Sequence, residues 1–466
     1  VSFALAGCMD DGSGGGTQTL DLSKSGTAGT AGKVDASGTS AEEEYSEEES
    51  SEEEYSEEEG SEEEYSEEEG SEEEYSEEEE GSEEESEEES EEEGIDGETE
   101  EEESYTYTGE FAAVEGTTLS SPRIRFQAAL LDDGSVLIMG GYKSVALSST
   151  DFYDASAGAF SAGPAMVTAR VNHAAQKLND GRILVTGGMS TTTSSTSTKY
   201  YKTTEIFDPD TSSFAAVANM GINRAFHTST LLSSGKVLMV GGISAKDTYN
   251  STSETYAPDD NKFSTTSALS IKRAFHAASL LQDGKVLVTG GVSASSGTSA
   301  TYEDSMELYD PAGPSFSKLA AMYAARAYHT ATVLKDGRVL IAGGKTTGGT
   351  YLTSAEIYDP ATLATTALES TLPENRAYHT ATLLADGTVL LAGGATLSDS
   401  GTASFPDTGI IFDPETETFA SEGISMTTPR VYHQAVPLAA GPVLLMGGSY
   451  DGTSSNGALD SGELFQ

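Results

Sequence analysis

Arginine and histidine recur together in this sequence at a spacing that could support chemistry. Each of seven arginines is followed, three positions later, by a ring-bearing residue, which is Phe126 in the first copy and a histidine in the others. These six are all the histidines of the chain: His173, His227, His276, His329, His379 and His433. Because imidazole is the usual general acid–base group and a common metal ligand, the motif could be catalytic, metal-binding or purely architectural.

The distribution of the histidines favours an architectural role. Each lies in a repeated block such as RAYHTATVLKDGRVLIAGG at 326–344. A catalytic or metal-binding histidine is usually unique or clusters with a few partners, and one histidine per repeat cannot converge on one ion. Phe126 keeps the ring volume but has no nitrogen. We therefore predict imidazoles packed between repeat units, each with one nitrogen bonded to backbone, and neither a metal site nor a cofactor.

The repeated block itself predicts β-structure. Two β-rich runs flank an Asp-Gly pair, which predicts a hairpin with a type I′ turn, here called strands A and B. The Gly-Gly pair that ends strand B indicates positive φ or the close approach of another backbone. A run such as AEIYDP at 355–360 predicts strand C, and a phenylalanine a few residues later marks strand D. The D-strand phenylalanines are Phe160, Phe214, Phe263, Phe316 and Phe419.

The repeat occurs seven times at a period of about fifty residues. The Gly-Gly pairs end at residues 141, 188, 242, 291, 344, 394 and 448. Four antiparallel strands per repeat predict an all-β, seven-bladed propeller. The block arginines could pair with strand C glutamates, a pattern that Asp151 and Ile410 interrupt. Those glutamates are Glu205, Glu254, Glu307, Glu356 and Glu463.

The repeat resembles kelch repeats of the kind found in the central domain of galactose-oxidase-like proteins, over residues 105–466. This resemblance implies fold more than function, because kelch propellers include enzymes and binding proteins. Galactose oxidase holds copper with tyrosines, histidines and a tyrosine–cysteine cross-link, and this chain has no cysteine after residue 8. Some bacterial kelch propellers are sugar mutarotases. A carbohydrate-active enzyme such as a mutarotase or epimerase is therefore the alternative to a non-catalytic binding protein.

The charge of the chain is concentrated in one segment. The formal net charge is −54, yet residues 41–103 contain 40 acidic residues and no Lys or Arg, and residues 104–466 carry only −12. Like charges at i and i+4 oppose helix formation, and the segment has too little apolar surface to fold. We predict that residues 9–104 form a disordered tether, a solvated spacer or else a weak binder of divalent cations. Without basic clusters, nucleic acid is not an expected partner.

The N-terminal residues VSFALAGC resemble the bacterial lipobox, in which cleavage precedes a cysteine that becomes lipidated. The alternative is a buried cysteine in a short strand, although the polar MDDGSGGG that follows disfavours it. We interpret residues 1–8 as the remnant of a lipoprotein signal, with Cys8 as lipid anchor and the membrane as a partner only through that lipid. The predicted location is the bacterial cell envelope, at the outer membrane or cell surface, and we expect a monomer.

The variable loops between strands B and C are the predicted binding face. Tight A–B and C–D turns would lie on one face of the disc, and the B–C loops on the other. Tyrosine among Ser, Thr and Gly suits a protein or glycan ligand, unless the rings merely cover the blade ends. The candidate residues are Tyr142, Tyr200, Tyr201, Tyr249, Tyr302, Tyr351 and Tyr450. We also predict that residues near 107–114 supply the missing D strand of the last blade and pair with strand C at 461–465.

Overall fold

Seven antiparallel sheets in the order A-B-C-D, six of four strands and one of five, build the described part of the chain, with five small two-stranded sheets between strands B and C. The structure is a computed structural model that describes residues 105–190, 198–296, 299–398, 400–453 and 456–466. The predicted all-β, seven-bladed propeller is confirmed. Cys8, the lipobox and the acidic tether lie outside the described residues.

The strands of each kind have similar lengths in all seven blades. The A strands are Gln127–Leu130, Ala174–Lys177, Thr228–Leu231, Ala277–Leu280, Thr330–Val333, Thr380–Leu383 and Gln434–Pro437. The B strands are Val136–Met139, Ile183–Thr186, Val237–Val240, Val286–Thr289, Val339–Ala342, Val389–Ala392 and Val443–Met446. The C strands are Thr150–Asp154, Thr204–Asp208, Ser253–Ala257, Met306–Asp310, Ala355–Asp359, Thr408–Asp413 and Gly462–Phe465.

The outermost strand of each blade, strand D, directly follows strand C in the chain in the first five blades, and the last two blades differ. The first five are Ala159–Ala162, Ser213–Ala216, Lys262–Thr265, Ser315–Lys318 and Ala364–Ala367. In blade 6 the D strand is split into Thr418–Phe419 and Ile424–Ser425, both paired with strand C. In blade 7 it is Phe111–Ala113.

The core lies between blades and is built mainly from the B strands. All four residues of every B strand are buried. This burial on both faces explains their continuous apolar sequences, since each B strand packs against two neighbouring blades. The predicted D-strand phenylalanines pack on strand C aromatics, as with Tyr153 and Phe160, whose ring centroids are 5.0 Å apart.

The A–B turns form the predicted hairpins, but the turn type was predicted wrongly. In blade 1 the Gly134 amide donates to the Leu131 carbonyl, and Gly134 has φ of 81°. Neither Asp132 nor Asp133 has positive φ, so the loop combines a type I turn with a left-handed glycine instead of a type I′ turn. Asp133 takes the position that its short side chain favours, because its Oδ1 accepts a bond from the Ser135 amide at 2.9 Å.

The Gly-Gly pairs meet both conditions that the sequence indicated. Gly140 and Gly141 have φ of 63° and 100°. A Cβ on Gly140 would lie 2.8 Å from the Arg170 carbonyl oxygen and 2.9 Å from Cε1 of His173, both in the next blade. The Gly141 amide donates to that same carbonyl at 3.0 Å. Equivalent bonds join every blade to the next, so these glycines allow the blades to approach each other closely.

The ring closes as predicted from the sequence. Phe111 pairs with Phe465, Ala112 with Leu464 and Ala113 with Glu463. The ring of Phe111 also packs 5.1 Å from that of Phe465. The N-terminal strand and the C-terminal strand therefore share the last blade, which leaves no unpaired inner strand at the seam.

Among the described residues, no helix is long and apolar enough to cross a membrane. The one helical segment there is a 3₁₀ turn at Thr347–Gly349, in the B–C loop of blade 5.

Candidate binding face and central collar

Short strand pairs in five of the B–C loops form small hairpins on one face of the disc. Their strand pairs are Tyr142–Lys143 with Val145–Ala146, Met189–Ser190 with Lys199–Tyr200, Ile243–Ala245 with Thr248–Tyr249, Val292–Ser296 with Ser299–Tyr302, and Thr396–Leu397 with Ala403–Ser404. In blade 5 a bridge between Lys345 and Tyr351 takes the place of the hairpin, and in blade 7 a bridge between Ser449 and Ala458 does.

A ring of seven residues, which we call the collar, surrounds the propeller axis on this same face. Each collar residue directly precedes the repeat histidine or Phe126, and each has a left-handed backbone with φ between 54° and 60°. The collar residues are Arg125, Asn172, Phe226, Phe275, Tyr328, Tyr378 and Tyr432. Backbone bonds join six of the seven adjacent pairs, for example from the Tyr378 amide to the Tyr328 carbonyl at 3.1 Å and from the Arg125 amide to the Tyr432 carbonyl at 3.2 Å.

The five aromatic collar residues contact one another in sequence. Ring centroids are 4.5 Å apart for Phe226 and Phe275, 4.9 Å for Phe275 and Tyr328, 4.6 Å for Tyr328 and Tyr378, and 5.2 Å for Tyr378 and Tyr432. Such tilted and edge-on pairs are favourable because the positive ring edge meets a negative ring face. A positive φ is costly for bulky residues, so this contact and the backbone ring must hold the conformation.

Five of the seven candidate tyrosines come together around the collar. Tyr142, Tyr200, Tyr249, Tyr302 and Tyr351 belong to the two apolar clusters that contain the collar rings. Tyr200 and Tyr249 are only 8% and 9% exposed. Burial, together with the nearby Asp247 carboxylate, raises the pKa of Tyr200 to about 12. These rings therefore pack beneath the loops and support them. A ligand could reach fewer of the candidate tyrosines than the sequence suggested.

The other two candidate tyrosines lie elsewhere on the face. Tyr450 is 47% exposed. The Tyr201 ring lies 5.5 Å from Nζ of Lys199 and 5.8 Å from the guanidinium of Arg170. Tyr323, in the linker between strand D of blade 4 and strand A of blade 5, is 71% exposed and was not among the predicted residues. Whether any of these rings contacts a partner stays a prediction.

The six repeat histidines are buried at the junctions between blades. In five of them Nε2 lies 2.8–3.1 Å from a threonine hydroxyl of the preceding blade, where the sequence suggested a backbone partner. Burial, followed by the charge of the blade's own arginine, lowers the pKa of His227, His379 and His433 to about 3. Phe126 occupies the same place against Gly447 at the seam. These imidazoles are neutral packing groups near pH 7.

The repeat arginines join strands B, C and the D–A linker of their own blade. Arg326 donates to the carbonyls of Gly343 and Ser354 and forms an ion pair with Glu356 at 2.7 Å. All five predicted Arg–Glu pairs are present, and Arg123 pairs with Asp151 in the same way, so only Ile410 breaks the pattern. The carboxylates also accept hydrogen bonds from backbone amides of the linker; Glu356, for example, accepts them from Tyr323 and Ala324.

Blade 6 lacks this carboxylate and has a matching change in the linker. The Arg376 guanidinium donates to the Gly393 and Thr408 carbonyls and lies 3.9 Å from the half-exposed Glu374. Burial lowers the pKa of Arg376 to about 10. Pro373 stands where other blades offer an amide to the carboxylate, and proline has no N–H to satisfy.

The channel along the axis contains a cavity of about 370 Å³. It is lined by A-strand residues of blades 2–7, mainly Ser, Thr and Ala, and by His329 and His379, which directly precede two of these strands. At the A–B turn end the lining is apolar, with Leu280, Val333, Leu383 and Pro437. No Asp, Glu, Lys or Arg lines it, so the cavity suits neutral solutes or water.

Comparison with solved structures shows that other proteins share this fold. The chain is similar to a fungal alcohol oxidase of the AA5 family, solved in complex with copper, with a TM-score of 0.58, 20% identity, and coverage of 75% of this chain and 76% of that one. It is also similar to YjhT, with a TM-score of 0.51, 17% identity, and coverage of 65% of this chain and 98% of that one. No protein-family profile and no curated protein matches the chain. At these identities the comparison shows the seven-bladed fold alone.

The repeat histidines are not arranged as ligands of one shared metal ion. Within the ranges that the structure describes, no group of three or more His, Cys, Asp or Glu side chains could hold a metal ion. The repeat histidines are separated around the ring, one to each junction between blades, and five of them are bonded to threonine.

The collar is the part of the site that sequence reasoning missed. Its signal was present, because the residue before each repeat histidine is aromatic in five of seven copies. The pattern of strand residues does not reveal that the residue before each repeat histidine adopts a left-handed backbone conformation and faces the axis.

Proposed function

We propose that this chain is a non-catalytic lipoprotein of the cell envelope whose propeller binds a protein or glycan partner through its B–C loop face. The observation that carries the proposal is the contrast between the two faces of the disc. One face has seven short, similar turns, and the other has loops of different lengths and sequences built over a rigid aromatic collar. Loops on a rigid scaffold are the usual location of binding residues.

The point where the chain enters the propeller supports this choice of face. The Tyr107 hydroxyl donates to the Gly441 carbonyl at 2.8 Å and accepts a bond from the Ala385 amide at 3.1 Å. Both groups belong to A–B turns, of blades 7 and 6. The first described residues, Tyr105 and Tyr107, therefore lie against the A–B turn face and leave the B–C face uncovered.

The chemistry of the B–C face suits a protein or glycan. Exposed and partly exposed tyrosines lie beside lysines that pair with rings, such as Lys345, whose Nζ is 5.9 Å from the Tyr351 ring centre. Aromatic faces stack on sugars and on peptide side chains, and their few rotatable bonds keep the entropy cost of binding low. On the opposite face four basic side chains form ion pairs with turn aspartates, such as Lys285 with Asp283.

The test is a binding screen of the purified full chain against envelope glycans and envelope proteins. The partner's affinity should fall at least about ten-fold in a Tyr201→Ala/Tyr450→Ala variant, because hot spots of this kind are aromatic. Leu363→Ala, at an exposed C–D turn of the opposite face, is the matched control and should bind normally. Loss of binding in the control alone, with both variants melting like wild type, would refute the assigned face. Turnover of sugar anomers by the same preparation would favour the mutarotase alternative.

A further inference from the structure

The collar is interrupted at the junction of blades 1 and 2. Five successive blades contribute aromatic rings, but blade 1 contributes Arg125 and blade 2 contributes Asn172. The Asn172 amide donates to the Arg125 carbonyl at 3.3 Å, so the two residues are neighbours in the backbone ring. A polar gap therefore lies between Tyr432 and Phe226 at the centre of the candidate binding face.

Arg125 is a cation without a counter-ion among the described residues. Its guanidinium lies over the Tyr432 ring at 4.7 Å from the centre. Its Nε is buried and has no hydrogen-bond partner in the described part of the chain. By contrast, six of the seven block arginines are matched by a buried carboxylate of their own blade. Arg125 is held in place by the ring beneath it, with its charge left uncompensated.

Asn172 and His173 add further unpaired polar atoms at the same junction. Asn172 is 3% exposed, and neither Oδ1 nor Nδ2 has a partner among the described residues. His173 is also 3% exposed with both ring nitrogens unpaired there, unlike the five histidines that bond a threonine. Buried polar groups in native proteins are almost always satisfied, so a cluster of unpaired ones indicates a missing bonding partner.

The residue types define that partner chemically. A guanidinium offers a planar pair of N–H donors that matches a carboxylate, and the Asn172 amide can donate a further bond. A single cation balances one negative charge, and the face of Tyr432 fixes the orientation of the guanidinium. We propose that the Arg125–Asn172 gap in the collar binds a carboxylate group of the ligand. This inference rests on the B–C face being the binding face, as proposed above.

The site can be tested with small carboxylates before any natural partner is known. The full chain is titrated calorimetrically with glucuronate and with N-acetylglutamate, each against its neutral counterpart, glucose or N-acetylglutamine. Each acid should bind about ten-fold more tightly than its counterpart, because only the acid forms a charge-assisted pair. The tighter of the two acids shows whether the carboxylate comes from a sugar or from a peptide. Equal binding of acid and neutral compound by the wild-type chain would overturn the proposal.

Variants show whether the preference for acids comes from this site or from the general attraction of acids to basic residues on the face. Arg125→Gln should remove the preference for acids, and Asn172→Asp, which keeps the side-chain shape, should abolish acid binding by repulsion. Lys143→Gln removes a cation from the same face and should leave the preference intact. An unchanged preference in Arg125→Gln, with the wild-type melting temperature, would overturn the proposal.

The outcomes also distinguish this inference from the proposed function. A partner that is lost in Tyr201→Ala/Tyr450→Ala but bound normally by Arg125→Gln would support the binding face and refute the carboxylate site. Arg125-dependent binding of small acids, with no macromolecule recognised by the B–C loops, would support the site and refute the proposed function.

Discussion

Buried charged and titratable residues are the most distinctive feature of this chain at the scale of single residues. Each blade holds a fully buried arginine, and six junctions hold a buried histidine. Burying a charge is costly unless it is paired and hydrogen-bonded, and the arginines meet this condition through carbonyls of their own blade and, in six blades, a carboxylate. The histidines avoid the cost by staying neutral.

The histidines predict a loss of stability in acid. The pKa of His433 is about 3 in the folded chain and about 6.5 in an unfolded one, so unfolding takes up protons between these values. The stabilisation is complete above pH 6.5 and is lost as the pH falls towards 3, at up to about 1.4 kcal/mol per pH unit for each histidine. In a Thr380→Val/His433→Phe variant, the slope of unfolding free energy against pH between 6 and 4 should fall by about one proton.

Urea unfolding at several pH values measures that slope. Thr380→Val alone, which keeps the imidazole, is the control and should retain the wild-type pH dependence. Phe126 shows that a phenyl ring fits at this kind of junction. An identical slope in the double variant and the wild type would contradict the neutral-histidine account.

The exception in blade 6 predicts unequal effects of removing two similar arginines. Arg326→Met leaves Glu356 buried without its counter-ion, which costs about 3–5 kcal/mol. In blade 6, Ile410 stands in place of the carboxylate. Arg376→Met therefore removes the hydrogen-bond donor only from backbone carbonyls and the Thr408 hydroxyl, which costs about 1–3 kcal/mol. Urea unfolding of the two variants should show Arg326→Met to be the less stable by roughly 2 kcal/mol. Equal losses would mean that the carboxylate contributes little.

At the scale of elements, the sequence predicted the structure correctly wherever a residue type at a repeated position has a single structural explanation. Gly-Gly, the B-strand runs and the D-strand phenylalanines predicted the strands and their order correctly. The turn type was missed because Asp-Gly fits both a type I′ turn and a type I turn with a left-handed glycine, and the number of loop residues between the paired strands decides between them. The collar was missed because its backbone is set by contacts between neighbouring blades, which no local pattern encodes.

The seam of the ring depends on one short strand. Phe111–Ala113 covers strand C of blade 7, and Phe111 packs on Phe465. Deleting residues 105–115 should expose that strand edge and yield aggregated or unfolded protein, since unpaired edges template association. Gel filtration and circular dichroism measure the outcome. Deleting eleven residues from the Gly/Ser-rich segment 9–40 is the control and should give soluble, folded protein; the same result for the 105–115 deletion would refute the closure role.

At the scale of the whole molecule, the chain combines a nearly regular ring with a segment of very different composition. The repeated bonds between blades make each junction resemble the others, and closure joins the first described strand to the last. A ring of this kind should unfold as one unit, because opening any junction exposes two apolar faces at once. Most of the net negative charge, 40 of 54, lies outside the ring, in residues 41–103.

A truncated chain that begins at residue 105 tests whether the propeller folds independently of the acidic segment. It keeps Tyr107 and strand Phe111–Ala113, so every described contact of the ring remains. Its cooperative thermal transition should match that of the full chain within a few degrees, since like charges in a solvated segment repel each other more than they affect a closed core. Differential scanning calorimetry at low and at high salt measures this, and high salt should bring the two transitions closer together because it screens the charge. A melting temperature lower by tens of degrees in the truncated chain would mean that the acidic segment packs on the propeller, and the spacer interpretation would then be wrong.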